Sequence, residues 1–192
     1  MTAVVMVIDM ERGFTDPQGA LYAGDSVREI IGPIREILKS EGAKGAHFIF
    51  TRDWHDPDDK EFQMWPPHCI KGTWETEIDP ELAEFARNAI VINKRRYSAF
   101  FDTNLDEVLK RIEPDMVIVT GVATDICVMF TTADLRNRDY NVVIPANAVT
   151  SFDPEAHAFA LKHMEKILGV TVVPDYETWL RTHEPEKEPV HA

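Results

Sequence analysis

Six short runs of apolar, mostly β-branched residues recur along the chain: AVVMVID ending at Asp9, AHFIFT ending at Thr51, AIVIN ending at Asn93, MVIVTG ending at Gly121, NVVIP ending at Pro145 and VTVVP ending at Pro174. They are too uniformly apolar for one face to be wet, so each reads as a buried strand. Between most of them the period lengthens to three or four. Val27, Ile30, Ile31, Ile34, Ile37 and Leu38 share one helical face, with Ser26 and Glu29 spaced for a capping box, Gly42 just past the expected end, and Pro33 inside, where a kink is expected. Leu105, Val108, Leu109 and Ile112 make a second helical face, residues 128–135 a third, and residues 156–168, after Pro154, a fourth. Strands that alternate with helices and need cover on both sides imply a three-layer αβα domain around a mostly parallel sheet. Six strands in the order 3-2-1-4-5-6 are expected, with helices on both faces.

The chain has 192 residues, 44% of them hydrophobic, which is enough for one buried core. Residues 1–181 are expected to form a single domain. The last residues, 182–192, THEPEKEPVHA, are polar and aperiodic, and a mobile tail is expected there. The net charge of -13, from 33 acidic and 20 basic residues, repels nucleic acid and anionic membrane surfaces and leaves small molecules as the expected partners. The first apolar run is too short to span a bilayer and no leader pattern precedes it, so a soluble cytoplasmic protein is expected. Two cysteines, Cys69 and Cys127, are too few for a disulfide framework and fit a reducing compartment.

In parallel α/β sheets, ligands bind beyond the carboxyl ends of the strands, where strand order reverses. Asp9 closes the first run, Asp53 follows the second, Lys94 the third, and Cys127 lies just after the fourth, so four chemically capable side chains share one rim. Any one of them could be an ordinary surface charge or a packed thiol. Their convergence points to a site. Cys127 sits where a strand turns into a helix, and helix N–H groups there favour a thiolate and can bind an oxyanion. An ammonium such as Lys94 lowers a thiol pKa, and a carboxylate such as Asp9 can take the thiol proton and later deliver it to departing ammonia. Arg95 and Arg96 read as solvated surface.

Two longer connections, 52–78 and 95–102, interrupt the alternation, and connections of that kind often carry function. The first holds Asp53, His55 and His68, a carboxylate and two imidazoles that suit Zn, Fe or Mn with positions left open. Asp56, Asp58, Asp59 and Glu61 read as a hydrated acidic turn of secondary importance.

The segments VIDMERGF, NKRRYSAF and GVATDICV together resemble the three motifs of the isochorismatase-like cysteine hydrolases, in order and across residues 4–173. The resemblance implies a catalytic triad of Asp9, Lys94 and Cys127. It also implies a cis peptide between Val122 and Ala123 that aims the Ala123 and Cys127 N–H groups at an oxyanion. The D-x-H of Asp53 and His55, with the later WPPHC, resembles the metal loop of the nicotinamidase (pyrazinamidase-like) branch. That implies one divalent ion, Zn first and Fe or Mn as alternatives, held by Asp53, His55 and His68, with packing left to Cys69. By motif position Phe14, Trp65 and Tyr97 are the aromatic walls of a substrate pocket.

The implied reaction is hydrolysis of nicotinamide to nicotinate and ammonia through a thioester, a step of NAD salvage. Relatives often oligomerise, so a homo-oligomer is compatible, although no surface stripe marks an interface. The alternatives are an amidase for a ureido or another heteroaromatic amide, or a redox-sensing or ligand-binding thiol protein without turnover. A purely structural metal loop needs four ligands, and three stand out.

Overall fold

The computed structural model describes residues 1–183. Its strands are β1 Ala3–Ile8, β2 His47–Asp53, β3 Ile90–Lys94, β4 Met116–Val122, β5 Val142–Pro145, β6 Val149–Thr150 and β7 Thr171–Val173. Every pairing is parallel, and the order is β3-β2-β1-β4-β5-β7. The six apolar runs are therefore the six strands of this path, in the expected order. The additional β6 is two residues long and pairs only with the end of β4, too short to leave a period in the sequence.

Helices α1 Arg12–Thr15, α2 Ser26–Ala43, α3 Ala83–Ala86, α4 Leu105–Ile112, α5 Met129–Arg136, α6 Pro154–Leu168 and α7 Tyr176–His183 complete the fold. The central strand shows why its run is unbroken. Ala3, Val5 and Val7 pack in one core with Val27, Ile31 and Ile34 of α2, while Val4, Met6 and Ile8 pack in a second core with Leu105 and Leu109 of α4, Leu135 of α5 and Met164 of α6. Alternate side chains of a strand point to opposite faces, and here both faces are covered.

Several local expectations differ. Ser26 is the first residue of α2 rather than its cap, and its hydroxyl accepts a hydrogen bond from Thr150 Oγ1 at 2.9 Å, so the capping box is replaced by a contact to β6. The helix continues through Pro33 and past Gly42, and Gly45, with φ of +87°, is the left-handed residue beyond its end. Thr182 and His183, expected in the tail, form the last turn of α7, where the His183 ring stacks on Trp179. The rest of that tail, 184–192, lies outside the described residues. No helix among the described residues is long and apolar enough to cross a membrane.

Strand order reverses between β1 and β4, and the carboxyl ends of β1 to β4 meet there. Gly121 has φ of +107°, and a side chain at this position would collide with the backbone of Ile8. Only glycine lets β4 stay against β1 up to the rim that carries the candidate residues.

Candidate active site

Lys94 is the hub of the rim. It is 2% exposed, and its Nζ lies 2.8 Å from Asp9 Oδ2, 2.5 Å from Asp53 Oδ1, 3.4 Å from Cys127 Sγ and 3.0 Å from the Arg96 carbonyl. Register makes this possible, because Asp53 and Lys94 are partners on adjacent strands. Asp9 follows β1 in a left-handed conformation, φ 51°. Its carboxylate accepts a 2.6 Å hydrogen bond from Thr51 Oγ1. Cys127 belongs to a wide π-type turn, Thr124–Val128, that leads from β4 into α5; such turns favour functional sites. The peptide between Val122 and Ala123 is cis, at the position the motif implies.

The electrostatics separate the two carboxylates that share Lys94. Burial raises Asp9 above its usual range, the ammonium of Lys94 opposes this, and Asp53 adds to it. For Asp53 burial also acts upward, but Lys94, His55 and His68 outweigh it and hold the carboxyl well below its usual range. Burial alone would discharge Lys94, and Asp53 and Asp9 reverse that and keep it charged. Asp53 is thus the fixed anion and Asp9 the group poised nearer protonation, the pattern that distinguishes a structural carboxylate from a proton carrier. Cys127 departs from the expectation of a stabilised thiolate. Burial pushes the thiol well above its ordinary value, Lys94 opposes, and Asp9 and Asp53 push further up. The resting group is a thiol, so a nucleophile here depends on a base beside it.

A second cluster adjoins the first through Asp53. One ligating atom from each of Asp53, His55, Glu61 and His68 lies within 4.8 Å of the others, all four residues buried. His55 Nδ1 is 2.9 Å from Asp59 Oδ2 and His68 Nδ1 is 2.8 Å from the Pro66 carbonyl. Both Nε2 atoms therefore turn inward, each 3.4 Å from Asp53 Oδ2. Outer partners that fix the tautomer of a ligating imidazole are the usual support of a metal site. Asp9, Glu11, Asp53 and Glu61 are buried around one buried ammonium, Lys94, an excess of carboxylate that a divalent cation would offset. The donor set of two imidazoles and two carboxylates fits the implied ion. Four donors in place of three remove the ligand count as an argument against a structural site, but Asp53, Glu61 and His68 also line the pocket beside Cys127, which a closed structural site does not require.

The structure differs from the sequence reading at three residues of this loop and its neighbour. Glu61 reads from the sequence as part of a hydrated acidic turn, yet it is 4% exposed and completes the quartet. Asp59 caps the short 3₁₀ turn Lys60–Gln63 and holds His55, and Arg96 Nη1 reaches it at 2.8 Å. Its carboxyl is lowered to about 2, against burial, by the Glu61 N–H, His55 and Arg96. Arg96 is therefore a brace of the cluster rather than solvated surface. Asp56, Asp58 and Arg95 do remain outside it, Asp56 pairing with Lys71 and Arg95 with Asp102. No local sequence pattern marks Glu11. It is fully buried, and its Oε1 accepts the Asp53 N–H at 2.5 Å, which fixes the strand end that joins the two clusters.

Phe14, Trp65 and Tyr97 line one pocket with Asp9, Cys127, Ala123 and His68. Leu21, Ile126 and Phe152 complete its walls; no local pattern in the sequence marks these three. Cys69 lies apart from the quartet. It is completely buried, its N–H donates to Glu75 Oε2, and its sulfur packs where a side chain at Gly13 would fall. Cys69→Ala is therefore expected to leave metal content and activity unchanged while lowering stability by about 1 kcal/mol, the cost of a small cavity. Loss of bound metal in that variant, read by elemental analysis, would contradict the packing role.

Residues 2–173 match the isochorismatase domain. The isochorismatase family protein PncA of Bacillus subtilis (strain 168) is 33% identical over 181 residues, covering 90% of this chain and 99% of that protein. A pyrazinamidase/nicotinamidase from Streptococcus mutans UA159 superposes with a TM-score of 0.85 at 35% identity, covering 90% of this chain and all of that one. The pyrazinamidase of Pyrococcus horikoshii, solved in complex with zinc, superposes with a TM-score of 0.83 at 30% identity, covering 90% and 99%.

Proposed function

This chain belongs to the isochorismatase family of hydrolases, and from that premise we propose that it is a metal-containing cysteine amidohydrolase that converts nicotinamide to nicotinate and ammonia. The observation that carries the reading is the contact of the two clusters through Asp53, which offers one oxygen to Lys94 and the other to the imidazoles of His55 and His68.

In the proposed reaction Asp9 takes the thiol proton as Cys127 Sγ attacks the amide carbon. The backbone N–H groups of Ala123 and Cys127 hold the oxyanion, and Asp9 returns the proton to the leaving ammonia. The resulting thioester is hydrolysed by a water that Asp9 deprotonates, which restores the thiol. Lys94 stays charged throughout and stabilises the thiolate as it forms. Asp53, His55, Glu61 and His68 would hold a divalent ion, which when bound supplies a Lewis acid for the pyridine nitrogen and so orients the ring. Phe14, Trp65 and Tyr97 flank the ring plane.

The deciding experiment couples metal analysis to ammonia release from nicotinamide. Chelation is expected to lower kcat/KM by about 100-fold, the scale of a misplaced reacting group, and one of Zn, Fe or Mn to restore it. If metal-replete protein ignores nicotinamide but cleaves a ureido compound or another heteroaromatic amide, the substrate assignment falls and the cysteine amidohydrolase stands.

A further inference from the structure

We propose that Phe152 is the wall that limits how wide an amide the pocket admits, by closing its mouth against Trp65. The inference rests on the amidase reading above. The two rings come from distant parts of the chain, the metal loop and the segment after β6, and meet with centroids 6.1 Å apart at 32°. Together with the other walls they form a narrow, half-open cleft beside Cys127. A ring substituted on the edge that meets Phe152 and Trp65 enters only if one wall turns.

The fixed and the movable wall can be told apart. Trp65 is tethered, because its indole N–H donates to Tyr97 Oη at 2.9 Å, and Tyr97 in turn packs on Phe130. The Phe152 ring carries no polar atom to tether it and is 38% exposed at the rim. Its backbone, however, is held on both sides. Thr150 pairs with Val122 of β4, the Ser151 hydroxyl donates to Asp125, and the Asp153 side chain caps α6 by accepting the Glu155 N–H at 2.8 Å. Phe152 is thus a side-chain gate on a rigid hinge, and the same Ser151 contact ties it to the turn that carries Cys127.

Orientation of the substrate says which edge the gate meets. With the carboxamide at Cys127 and the ring nitrogen toward Asp53 and His68, the carbon between them lies on the side of those groups. Ring position 5, directly opposite that carbon, is the edge turned away from them and is left to the remaining walls, Phe152 among them. Substituents at that position are therefore the ones Phe152 excludes.

The test compares nicotinamide with 5-methyl- and 5-phenylnicotinamide on the metal-loaded wild type, Phe152→Ala and Phe152→Trp. The ratio of kcat/KM for the 5-phenyl compound to that for nicotinamide is expected to rise at least about tenfold in Phe152→Ala, and the 5-methyl ratio to fall in Phe152→Trp. The same pairs are measured by calorimetric Kd in a Cys127→Ala background, where no turnover occurs. Ratios within about twofold of wild type in both assays overturn the gate. If nicotinamide is bound but never cleaved, the substrate reading fails separately, and the ratio of Kd values alone decides the gate.

Discussion

Cys127→Ala is expected to reduce ammonia release to background, a loss of at least about 10⁴-fold in kcat, while metal content and melting temperature stay at wild-type values. The separation of effects follows from what the thiol touches. Cys127 Sγ is the most distant of the side-chain partners of Lys94, at 3.4 Å, so its removal leaves both ion pairs of that ammonium in place. Its burial is nearly complete, yet loss of one sulfur atom beside a pocket leaves little new cavity. The quartet of Asp53, His55, Glu61 and His68 includes no atom of Cys127, so the metal has no reason to leave. Cys127→Ser should recover little, because a hydroxyl is harder still to deprotonate than a thiol whose pKa burial has already raised. Appreciable turnover by Cys127→Ala would remove the nucleophile assignment. Wild-type protein without hydrolytic activity, but with a readily oxidised Cys127, would favour the redox-thiol alternative.

The thiol also shows where reasoning from sequence stops. A strand-to-helix turn with a lysine in prospect argues for a stabilised thiolate, and the turn and the lysine are where the pattern puts them. The direction of the shift nonetheless reverses, because two carboxylates and full burial act on the same sulfur and neither is visible in the local motif. Strand runs were readable because both faces of β1 and β4 are buried and the period vanishes, a property of the residues themselves. The helices α2 and α4 are readable for the opposite reason: only one face of each is buried, so the three-to-four period stays visible. The acidic turn was misread because Asp59 and Glu61 differ from Asp56 and Asp58 only in what folds over them. Arg96 arrives from the 95–102 connection, more than thirty residues away, and His55 from the other side. Phe152 and Glu11 escaped for a similar reason: the first sits beyond a two-residue strand, and the second hydrogen-bonds the backbone of Asp53 across 42 positions.

Lys94→Met should cost both activity and stability, and so differ in kind from the Cys127 variant. Methionine fills most of the volume, so the change isolates the charge. In its absence Asp9 and Asp53, both buried, face each other with no ammonium between them. Breaking a buried pair by removing one partner typically costs about 3–5 kcal/mol. The sign of its pH dependence follows from Asp53, whose carboxyl in the folded protein lies well below 3.8 with Lys94 as the largest lowering influence. A carboxyl depressed on folding contributes stability above its unfolded value, lost as pH falls through the folded one. The variant forfeits that contribution, so the gap to wild type is expected to be widest near neutrality and to narrow in acid, as the unpaired carboxyls take up protons. Denaturant unfolding of metal-free wild type and Lys94→Met at pH 7 and at about pH 3, below the 3.8 of the unfolded carboxyl, checks this, with ammonia release at pH 7 expected to fall at least about 10³-fold as the thiolate loses its counter-ion. A variant as stable as wild type at pH 7 would contradict the role of Lys94 as the counter-ion of buried Asp53 and Asp9.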